Sequence, residues 1–204
     1  MKRIEFLAEL LNGSNIVLDI GCDHGLVLKT AFDKGYIKKG LASDIGAGPL
    51  SQAKKNLDGY NVDFYLSDGF TNIEDDSYDT VVIAGMGALL ITQILDKARK
   101  DAKYIIQANE KSHIIREYLM DNGFTITDEF VVKDGFYYVM IICQKGTMKL
   151  PEEDIFLGPI LKTKTDSKEY YQHKINTINA FIDNTDEKSK KRHKKLLEFY
   201  KKYA

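Results

Sequence analysis

A glycine turn flanked by carboxylates is the part of this sequence best suited to binding a ligand. Residues 19–25 (DIGCDHG) follow an apolar stretch and precede a helical pattern. Gly21 permits a tight turn close to a ligand, and the following helix would present unpaired N–H groups there. The dinucleotide-binding pattern has a second glycine where Asp23 stands in this chain. Asp19 and Asp23 would repel a pyrophosphate, so the turn favours a ligand that carries an amino group.

Two further acids follow the next strand-like runs. Asp44 ends the run Gly40–Asp44, about twenty residues after the glycine turn, where a carboxylate can accept both ribose hydroxyls of an adenosine. Asp44 could instead cap the helix that begins near Pro49. Asp68 could meet the amino group of adenine with Phe70 packed on the ring, or it could form an ordinary Asp-Gly turn. Acids at three successive strand ends favour S-adenosylmethionine, which carries an ammonium, a sulfonium and no phosphate.

Small and amide-bearing residues end the fourth and fifth strand-like runs. Glycines at 85 and 87 would let a flat acceptor approach a sulfonium. Amides at 107 and 109 could hydrogen-bond a base edge, although Asn109 is also a good helix cap. The predicted cofactor-binding residues are Asp19, Gly21, Cys22, Asp44, Ile45, Ser67, Asp68, Gly69, Gly85 and Met86. Within these two runs, Gly87, Gln107 and Asn109 are predicted to bind the methyl acceptor.

Alternation of strand-like and helical patterns predicts the elements that position these residues. The strand-like runs are Ile16–Ile20, Gly40–Asp44, Val62–Leu66, Thr80–Ala84 and Lys103–Gln107. Amphipathic patterns over Leu89–Lys100 and Ser112–Asn122 predict two of the intervening helices. Nearly continuous apolar strands that alternate with helices indicate a parallel sheet covered on both faces. The expected fold class is therefore α/β, with a doubly wound, Rossmann-like sheet.

The pattern changes after residue 124. Thr125–Val132 and Phe136–Cys143 read as two strands joined by a turn at Asp134-Gly135, and Asp-Gly is a favoured hairpin connection. A doubly wound sheet that ends in an antiparallel hairpin is what we expect of a class I methyltransferase. An oxidoreductase half-domain would more simply continue the strand-helix rhythm.

A small helical domain is predicted at the end of the chain. Residues 146–151 separate a predicted domain at 1–150 from a second at 151–204. Within Ser167–Asp183, a helical seam consists of Tyr171, Ile175, Ile178 and Ile182. Residues 184–186 (NTD) interrupt the pattern, and His193 to Tyr200 repeats similar spacings. Two helices in a hairpin are therefore expected.

Composition narrows the class of protein. The chain has 204 residues, 44% hydrophobic and 29% charged, with a formal net charge of -1, which excludes disorder for most of it. No apolar run approaches the roughly 20 residues of a membrane span, and the first residues lack the apolar core of a signal peptide. Cys22 and Cys143 are too few for a disulfide framework or a zinc cluster. We expect a reduced, cytoplasmic protein without a metal.

Charge is distributed unevenly along the chain. Residues 1–150 carry a net charge of -4 and residues 151–204 a net charge of +3. Within 188–204, eight basic residues accompany Glu198 as the sole acid. A basic tail on an acidic body suggests an anionic partner. Lysine-rich exposed helices are also common without such a partner.

Taken together, the motifs resemble the bacterial tRNA (adenine-22-N1)-methyltransferase family. The matching segments are 19–25 (DIGCDHG), Asp44 before Gly48-Pro49, 67–69 (SDG), 83–87 (IAGMG) and 107–109 (QAN). Their order and spacing match over residues 1–160, where Leu157-Gly158-Pro159 resembles a further family element. The helical tail resembles the family's C-terminal coiled-coil-like domain. The resemblance implies methyl transfer from S-adenosylmethionine to N1 of adenine 22 in tRNA.

This sequence departs from the family pattern at three positions. Family members usually have glutamate at the position of Asp44, glycine at the position of Ala88 and proline at the position of Ala108. Asp44 retains the carboxylate. The two alanines slightly reshape the acceptor pocket, so the departures bear more on the substrate than on the cofactor.

The resemblance implies roles for several side chains. Asp23, and after it His24, would stabilise charge that develops on the methylated ring. Asp23 could equally be a helix-start residue that the helix dipole favours, and His24 an exposed first-turn histidine. Tyr138 or its neighbour Tyr137 would stack an exposed base, or simply pack. The basic tail, with Lys190, Lys191, Arg192 and Lys194 as predicted substrate-binding residues, would follow the tRNA backbone, or form a solvated helix face.

Three functions remain open from the sequence. The first is a tRNA adenine-N1 methyltransferase. The second is a methyltransferase with a small molecule or another RNA as its substrate, which would leave the basic tail unused. The third is a non-catalytic module that binds S-adenosylmethionine or RNA, because fold does not fix function. Asp19 and Asp23 disfavour a nicotinamide oxidoreductase.

Overall fold

A mixed β-sheet carries the segments described above. The computed structural model describes residues 2–74, 77–98 and 101–204. The strands are β1 (Ile16–Ile20), β2 (Lys39–Asp44), β3 (Val62–Leu66), β4 (Thr80–Met86), β5 (Lys103–Ala108), β6 (Phe124–Asp134) and β7 (Phe136–Lys145). Within the described residues they form one seven-stranded sheet in the order β3-β2-β1-β4-β5-β7-β6.

Strand direction places the ends of the first five strands together. These strands are parallel, so their carboxyl ends meet at one edge of the sheet. β1 lies between β2 and β4, and the strand order reverses there. Ligands of open α/β sheets bind at such a switch point. β7 is antiparallel to β5 and β6, which confirms the predicted parallel sheet with an antiparallel hairpin at its end.

The hairpin is tighter and longer than its sequence pattern predicts. Gly135 alone connects β6 to β7 and has a φ of +75°, a conformation that glycine adopts without strain. Pairing therefore continues as far as Asp134 and Phe136, which face each other across the two strands. The predicted limit of β6 at Val132 falls short for this reason. β7 continues past its predicted limit at Cys143 because Lys145 pairs with Phe124 at the other end of the hairpin.

Eight helices among the described residues cover the two faces of the sheet. They are α1 (Lys2–Glu9), α2 (Leu26–Asp33), α3 (Ala47–Asn56), α4 (Ala88–Leu95), α5 (Ser112–Asp121), α6 (Glu152–Leu157), α7 (Ser167–Phe181) and α8 (Glu187–Lys201). The neighbouring residues Val17 and Leu18 of β1 point to opposite faces. Val17 packs with α1, α2 and α3, whereas Leu18 belongs to the cluster beneath α4 to α8. None of these helices is long and apolar enough to cross a membrane.

Helix ends differ from the sequence pattern in specific ways. α4 ends at Leu95, although its apolar stripe predicts a helix to residue 100; residues 99 and 100 lie outside the described residues. α7 gives way to a 3₁₀ turn over Ile182–Asn184. Asp186 then caps α8 by accepting the Ser189 N–H at 3.0 Å. α1 was not predicted from the sequence.

The C-terminal helices share a core with the sheet. Tyr171, Ile175 and Leu197 are buried in the same cluster as residues of β4, β5 and β7. The Tyr171 hydroxyl donates a hydrogen bond to the Leu157 carbonyl at 2.8 Å. The packing is continuous across the segment at 146–151. The division of the chain into domains at residue 150 stays a prediction.

A buried ion pair holds the start of this helical part against β6. Arg116 of α5 and Glu129 of β6 are 1% and 0% exposed, and Arg116 Nε donates to Glu129 Oε1 at 2.6 Å. Glu129 Oε2 also accepts the backbone N–H groups of Ile160 and Leu161 at 2.9 and 3.0 Å. Arg116 Nη1 donates to the Ile155 carbonyl at 3.0 Å. Partners on both charges satisfy a pair that would otherwise be costly to bury.

Candidate active site

A cavity of about 490 Å³ opens at the carboxyl ends of the strands around β1. We call it the switch-point cavity. All ten predicted cofactor-binding residues line it: Asp19, Gly21, Cys22, Asp44, Ile45, Ser67, Asp68, Gly69, Gly85 and Met86. The predicted catalytic residues Asp23 and His24 line it as well. These side chains meet because parallel strands end at a common edge of the sheet.

Asp19 is a carboxylate almost removed from water. It is 4% exposed, and no described residue donates a hydrogen bond to its side chain. Burial, and to a lesser extent the nearby charge of Asp44, raises the pKa of Asp19 to about 7. A cationic group of a ligand would stabilise the ionised form. Asp19 therefore suits an ammonium or a sulfonium.

The glycine turn is fixed by backbone hydrogen bonds to β2. The N–H groups of Gly21 and Cys22 donate to the Ser43 carbonyl at 2.8 and 2.9 Å. Gly21 has a φ of +69°, and a Cβ built there would lie 2.0 Å from Met86 Cε. The turn therefore favours glycine for its backbone conformation, and the flexible end of the Met86 side chain occupies the space that a Cβ would take. Burial, followed by the charge of Asp19, raises the pKa of the Cys22 thiol, so Cys22 is not a thiolate nucleophile.

Asp44 joins the glycine turn to the loop after β2. Its Oδ2 accepts the Asp23 N–H at 3.0 Å, and its Oδ1 accepts the Gly46 N–H at 2.8 Å. Each carboxylate oxygen has room for a second donor. Asp44 can therefore hold the two loops together and still accept hydrogen bonds from the hydroxyl groups of a ligand in the cavity.

Asp23 and His24 lie at the open side of the cavity. Their side chains are 67% and 52% exposed, and His24 Nε2 lies 3.6 Å from Asp23 Oδ1. Asp23 has a φ of +49°, which is uncommon for a residue other than glycine. Both side chains are free to meet a substrate that arrives from solvent.

The loop after β3 closes another side of the cavity. Ser67 Oγ donates to the Thr71 carbonyl at 2.6 Å and fixes the loop. Asp68 lies 3.6 Å from Lys97 Nζ, and its pKa is lowered by a hydrogen bond from Thr71 and by the Lys97 charge. Phe70, which the sequence places on an adenine ring, is instead buried against Tyr78 with ring centroids 6.2 Å apart.

A bulge at the end of β4 shapes the rim. The register with β5 shifts between Ala84 and Met86, and Gly85 has a φ of +79°. Gln107 Oε1 accepts the Gly85 N–H at 3.2 Å, and Asn109 Nδ2 donates to the Gly85 carbonyl at 2.8 Å. Gln107 is fully buried, so its contacts are internal. The sequence predicts that Gln107 contacts the substrate directly. The side chain of Gln107 is not exposed to either cavity, so the structure shows no surface for such a contact.

Residues of α1 and α4 that were not predicted to bind also line the switch-point cavity, as do Leu26 and Val27 of α2. Leu90 and Ile94 contribute from α4, and Arg3, Ile4 and Leu7 contribute from α1. The apolar stripe of α4 could have suggested the first pair. The residues of α1 precede every motif in the sequence. Only the amphipathic pattern of residues 2–9 could have suggested them.

Comparison with known proteins places this geometry in a family. A family model described as tRNA (adenine(22)-N(1))-methyltransferase, TrmK, matches residues 17–203. The chain belongs to the TrmK family. This confirms the resemblance drawn from residues 19–25 and from the strand-end motifs.

Two relatives agree with that membership, and a solved structure shares the fold. A candidate tRNA methyltransferase of Mycoplasma pneumoniae is 33% identical over 195 residues, which cover 89% of this chain and 92% of that protein. The tRNA (adenine(22)-N(1))-methyltransferase of Bacillus subtilis is 28% identical over 166 residues, or 77% of this chain and 70% of that one. Sp1610 of Streptococcus pneumoniae, solved in complex with S-adenosyl-L-methionine, has a TM-score of 0.87 at 24% identity, with 100% of this chain and 98% of that chain covered.

The predicted substrate-binding residues of this TrmK family member are spread over several places. Asn109 and Tyr138 line a second cavity beside the switch-point cavity, whereas Gly87 is exposed at the start of α4 and lines neither cavity. The four basic residues lie on α8 and line neither cavity. Lys191 and Lys194 are exposed, Lys190 lies 3.3 Å from Glu187, and the Arg192 guanidinium lies 5.6 Å from the Phe156 ring centroid.

Proposed function

We propose that this TrmK family member transfers a methyl group from S-adenosylmethionine to N1 of adenine 22 in tRNA. The observation that carries the proposal is the switch-point cavity, in which the buried Asp19 carboxylate has no donor from the described residues. Membership of a family described by this reaction supports the same conclusion. A tRNA substrate implies that the protein works in the cytoplasm.

The residues of the switch-point cavity fit S-adenosylmethionine. Asp19 would hold its ammonium group, since this carboxylate is buried without a donor from the described residues. Asp44 would accept hydrogen bonds from the ribose hydroxyls. Each of its carboxylate oxygens already accepts one backbone N–H and has room for a second donor. Asp68 would accept a hydrogen bond from the amino group of adenine, and Ile94 would pack against the adenine ring. Acidic residues and the lack of a phosphate-binding glycine pattern agree with a ligand that has no phosphate.

The chemistry requires placement more than base catalysis. Bound S-adenosylmethionine supplies an electrophilic methyl group, and N1 of adenine has a lone pair that needs no deprotonation. Positioning by the chain can therefore provide most of the rate. The bulge at Gly85 leaves the rim beside Met86 free of a side chain at that position, so that a flat ring can approach. Asp23 would stabilise positive charge on the methylated ring, with His24 beside it.

The basic face of α8 would bind the tRNA backbone. Lys191 and Lys194 are exposed and form no ion pair within the described residues. Lysines of this kind attract phosphates without reading sequence. Their binding would be steeply dependent on salt.

Labelled methyl transfer to unmodified tRNA tests the proposed function. The full chain is incubated with S-adenosylmethionine and tRNA, and reverse-transcription stops map the product. We expect a stop at position 22 that is lost when adenine 22 is replaced by guanine. The variant Asp19→Asn should lower the yield by weakening the binding of the cofactor. Transfer at another adenine would refute the assigned position, and cofactor binding without transfer to tRNA would refute the assigned substrate.

A further inference from the structure

A second cavity of about 560 Å³ lies beside the switch-point cavity. We call it the hairpin cavity. Its walls come from the end of the β6–β7 hairpin, the segment between β5 and α5, and helices α1, α6, α7 and α8. Arg3 and Asn109 line both cavities, so the two spaces meet at these residues. A substrate in the hairpin cavity would therefore adjoin the cofactor.

Arg3 is held at this junction by contacts to two other elements. Its Nη1 donates to Gln107 Oε1 at 3.3 Å, and its backbone N–H donates to Asp134 Oδ2 at 3.2 Å. The centre of its guanidinium lies 4.9 Å from the Tyr138 ring centroid. Arginine planes and tyrosine rings are surfaces on which proteins stack unpaired bases. The junction thus offers a fixed, flat and cationic surface.

The hairpin cavity carries positive charge that is not neutralised. Arg3, Lys111 and Lys174 line it, against Glu110 as the opposite charge among its lining residues. Neither lysine forms an ion pair with any residue that the structure describes, and Lys174 Nζ lies 5.3 Å from the Tyr170 ring centroid. This arrangement suits a phosphate group.

The same positive charges affect the pKa of His113, which lines the hairpin cavity. Burial lowers its pKa to about 4, and Arg192, Arg116, Lys111 and Lys174 add to the shift, in that order. Its imidazole is therefore neutral at pH 7 and stacks on Phe156 with ring centroids 4.9 Å apart. An aromatic wall beside uncompensated cations is the combination that binds unpaired nucleotides.

Phe136 adds an apolar surface at the mouth of the cavity. This residue begins β7 and is 76% exposed, although it is a large hydrophobic residue. Exposed aromatic groups beside a basic cavity can stack a base that has left its helix. No described residue makes a ring contact with Phe136.

Resting on the proposed function, we propose that the hairpin cavity receives the target nucleotide after it leaves the tRNA helix. The base lies at the junction beside Arg3 and Asn109, and its phosphates lie toward Lys111 and Lys174. Helix α7 is then part of the acceptor site through Lys174. The C-terminal helices thus contribute to the binding of the target nucleotide as well as to the binding of the tRNA backbone.

Two lysine substitutions test the phosphate side of the cavity. Lys111→Gln/Lys174→Gln should raise the KM for tRNA about tenfold and make the salt slope of tRNA binding shallower by about 1.5. The affinity for S-adenosylmethionine, measured by calorimetry on the full chain, should not change. Lys34→Gln/Lys55→Gln is the matched control, since it removes the same charge from two exposed positions, one directly after α2 and one on α3. Equal KM values for the two double variants would overturn the proposal.

A fluorescent base tests the base side of the cavity. A tRNA with 2-aminopurine at position 22 should gain fluorescence on binding to the wild-type protein, because the base leaves its stacked neighbours. Arg3→Gln and Tyr138→Ala should change that emission and lower kcat, whereas Tyr138→Phe should restore both. Lys191→Gln should alter the affinity for this tRNA without altering the emission of the complex. An emission that is the same in all variants would overturn the proposal.

Wild-type activity separates the two levels of inference. If the wild-type protein does not methylate position 22, the proposed function fails, and the role of the hairpin cavity fails with it. If the wild-type protein methylates position 22 while the Arg3, Lys111 and Lys174 variants match the Lys34→Gln/Lys55→Gln control, only the role of the hairpin cavity fails.

Discussion

The fold leaves the Asp19 carboxylate available to a ligand, and the same burial makes this carboxylate harder to ionise in the free protein. Its carboxylate is buried, and no described residue donates to it, so its pKa lies near 7. In the unfolded chain the same group ionises near its ordinary value of 3.8. The folded protein therefore binds more protons than the unfolded chain between these two values, and Asp19 makes the free energy of unfolding fall as the pH rises through this window.

Cofactor binding should depend on pH for the same reason. A cation binds the ionised form of Asp19, so the affinity for S-adenosylmethionine should rise about tenfold from pH 6 to pH 8 as this group loses its proton. Calorimetry in two buffers of different ionisation enthalpy should also detect the proton released on binding. Asp19→Asn should bind more weakly and show a flatter pH profile. A steep profile that persists in Asp19→Asn would assign the titration to another group.

Residue types alone predicted many of the residues that line the switch-point cavity. Acids and glycines at successive strand ends meet because parallel strands finish at one edge, so their placement follows from the fold. Arg3 could not be placed in this way, since its contact with Gln107 joins residues 104 positions apart. The burial of Gln107 was equally hidden, because its side chain is covered by contacts with Gly85 of the neighbouring strand and with Arg3 of α1.

At the scale of elements, the turn between α6 and the following 3₁₀ turn depends on one glycine. Gly158 has a φ of +96°, and a Cβ built there would lie 2.6 Å from Glu129 Oε2 and 2.7 Å from Arg116 Nη2. These two side chains form a buried ion pair that has no room to move. The Leu157-Gly158-Pro159 segment therefore docks on β6 only without a side chain at its centre.

Alanine substitutions separate backbone strain from this clash. Gly59 has a similar φ of +82°, but a Cβ there would meet nothing within 4 Å. Gly59→Ala should lower the free energy of unfolding by about 1 kcal/mol through strain alone. Gly158→Ala should lower it by about 3 kcal/mol or more, because the ion pair must also be disturbed. Chemical unfolding monitored by circular dichroism measures both, and equal losses would show that the clash is relieved cheaply.

Element types were more predictable than element limits. The Asp-Gly sequence indicated the hairpin, but its pairing extends to Asp134 because one residue suffices for the connection. The apolar stripe that predicts α4 continues past Leu95, where the helix ends. α1 has only eight residues, and its role comes from packing on α2 and β6 rather than from its own pattern.

At the scale of the whole molecule, charge is divided between the two sides of the site. Four aspartates line the switch-point cavity, whereas Lys111 and Lys174 line the hairpin cavity and α8 is rich in lysine. In the proposed arrangement, a polyanionic RNA is repelled from the first cavity and attracted to the second. The cationic cofactor would have the opposite preference, so the two substrates would not compete for one space.

The basic face of α8 should contribute salt-dependent affinity without changing catalysis. Lys191→Gln/Lys194→Gln should make the salt slope of tRNA binding shallower by about 1.5, with kcat at saturating tRNA unchanged. Filter binding at several salt concentrations measures the slope. An unchanged slope would place the tRNA backbone on another surface.

Deletion of residues 160–204 should disrupt the fold as well as the binding of tRNA. Leu161, Tyr171 and Tyr200 belong to the buried cluster that lies under α4 and α5. Their removal would expose the apolar side of β5 and β7 to water. Near-UV circular dichroism of the shortened chain should show weakened tertiary structure and a lower Tm. A shortened chain with the wild-type Tm would show that residues 1–159 fold independently.

The Arg116–Glu129 pair also implies an order of events during synthesis. Both residues leave the ribosome before residues 155–161, whose backbone groups complete their hydrogen bonds. Until that segment emerges, Arg116 Nη1 and Glu129 Oε2 lack these partners, and the cluster beneath α5 lacks Leu157 and Leu161. The strands around β1 can pair earlier, because every partner that they need is already in the growing chain. The residues of the switch-point cavity have thus all been synthesised before the hairpin cavity has all of its residues, which include Tyr200.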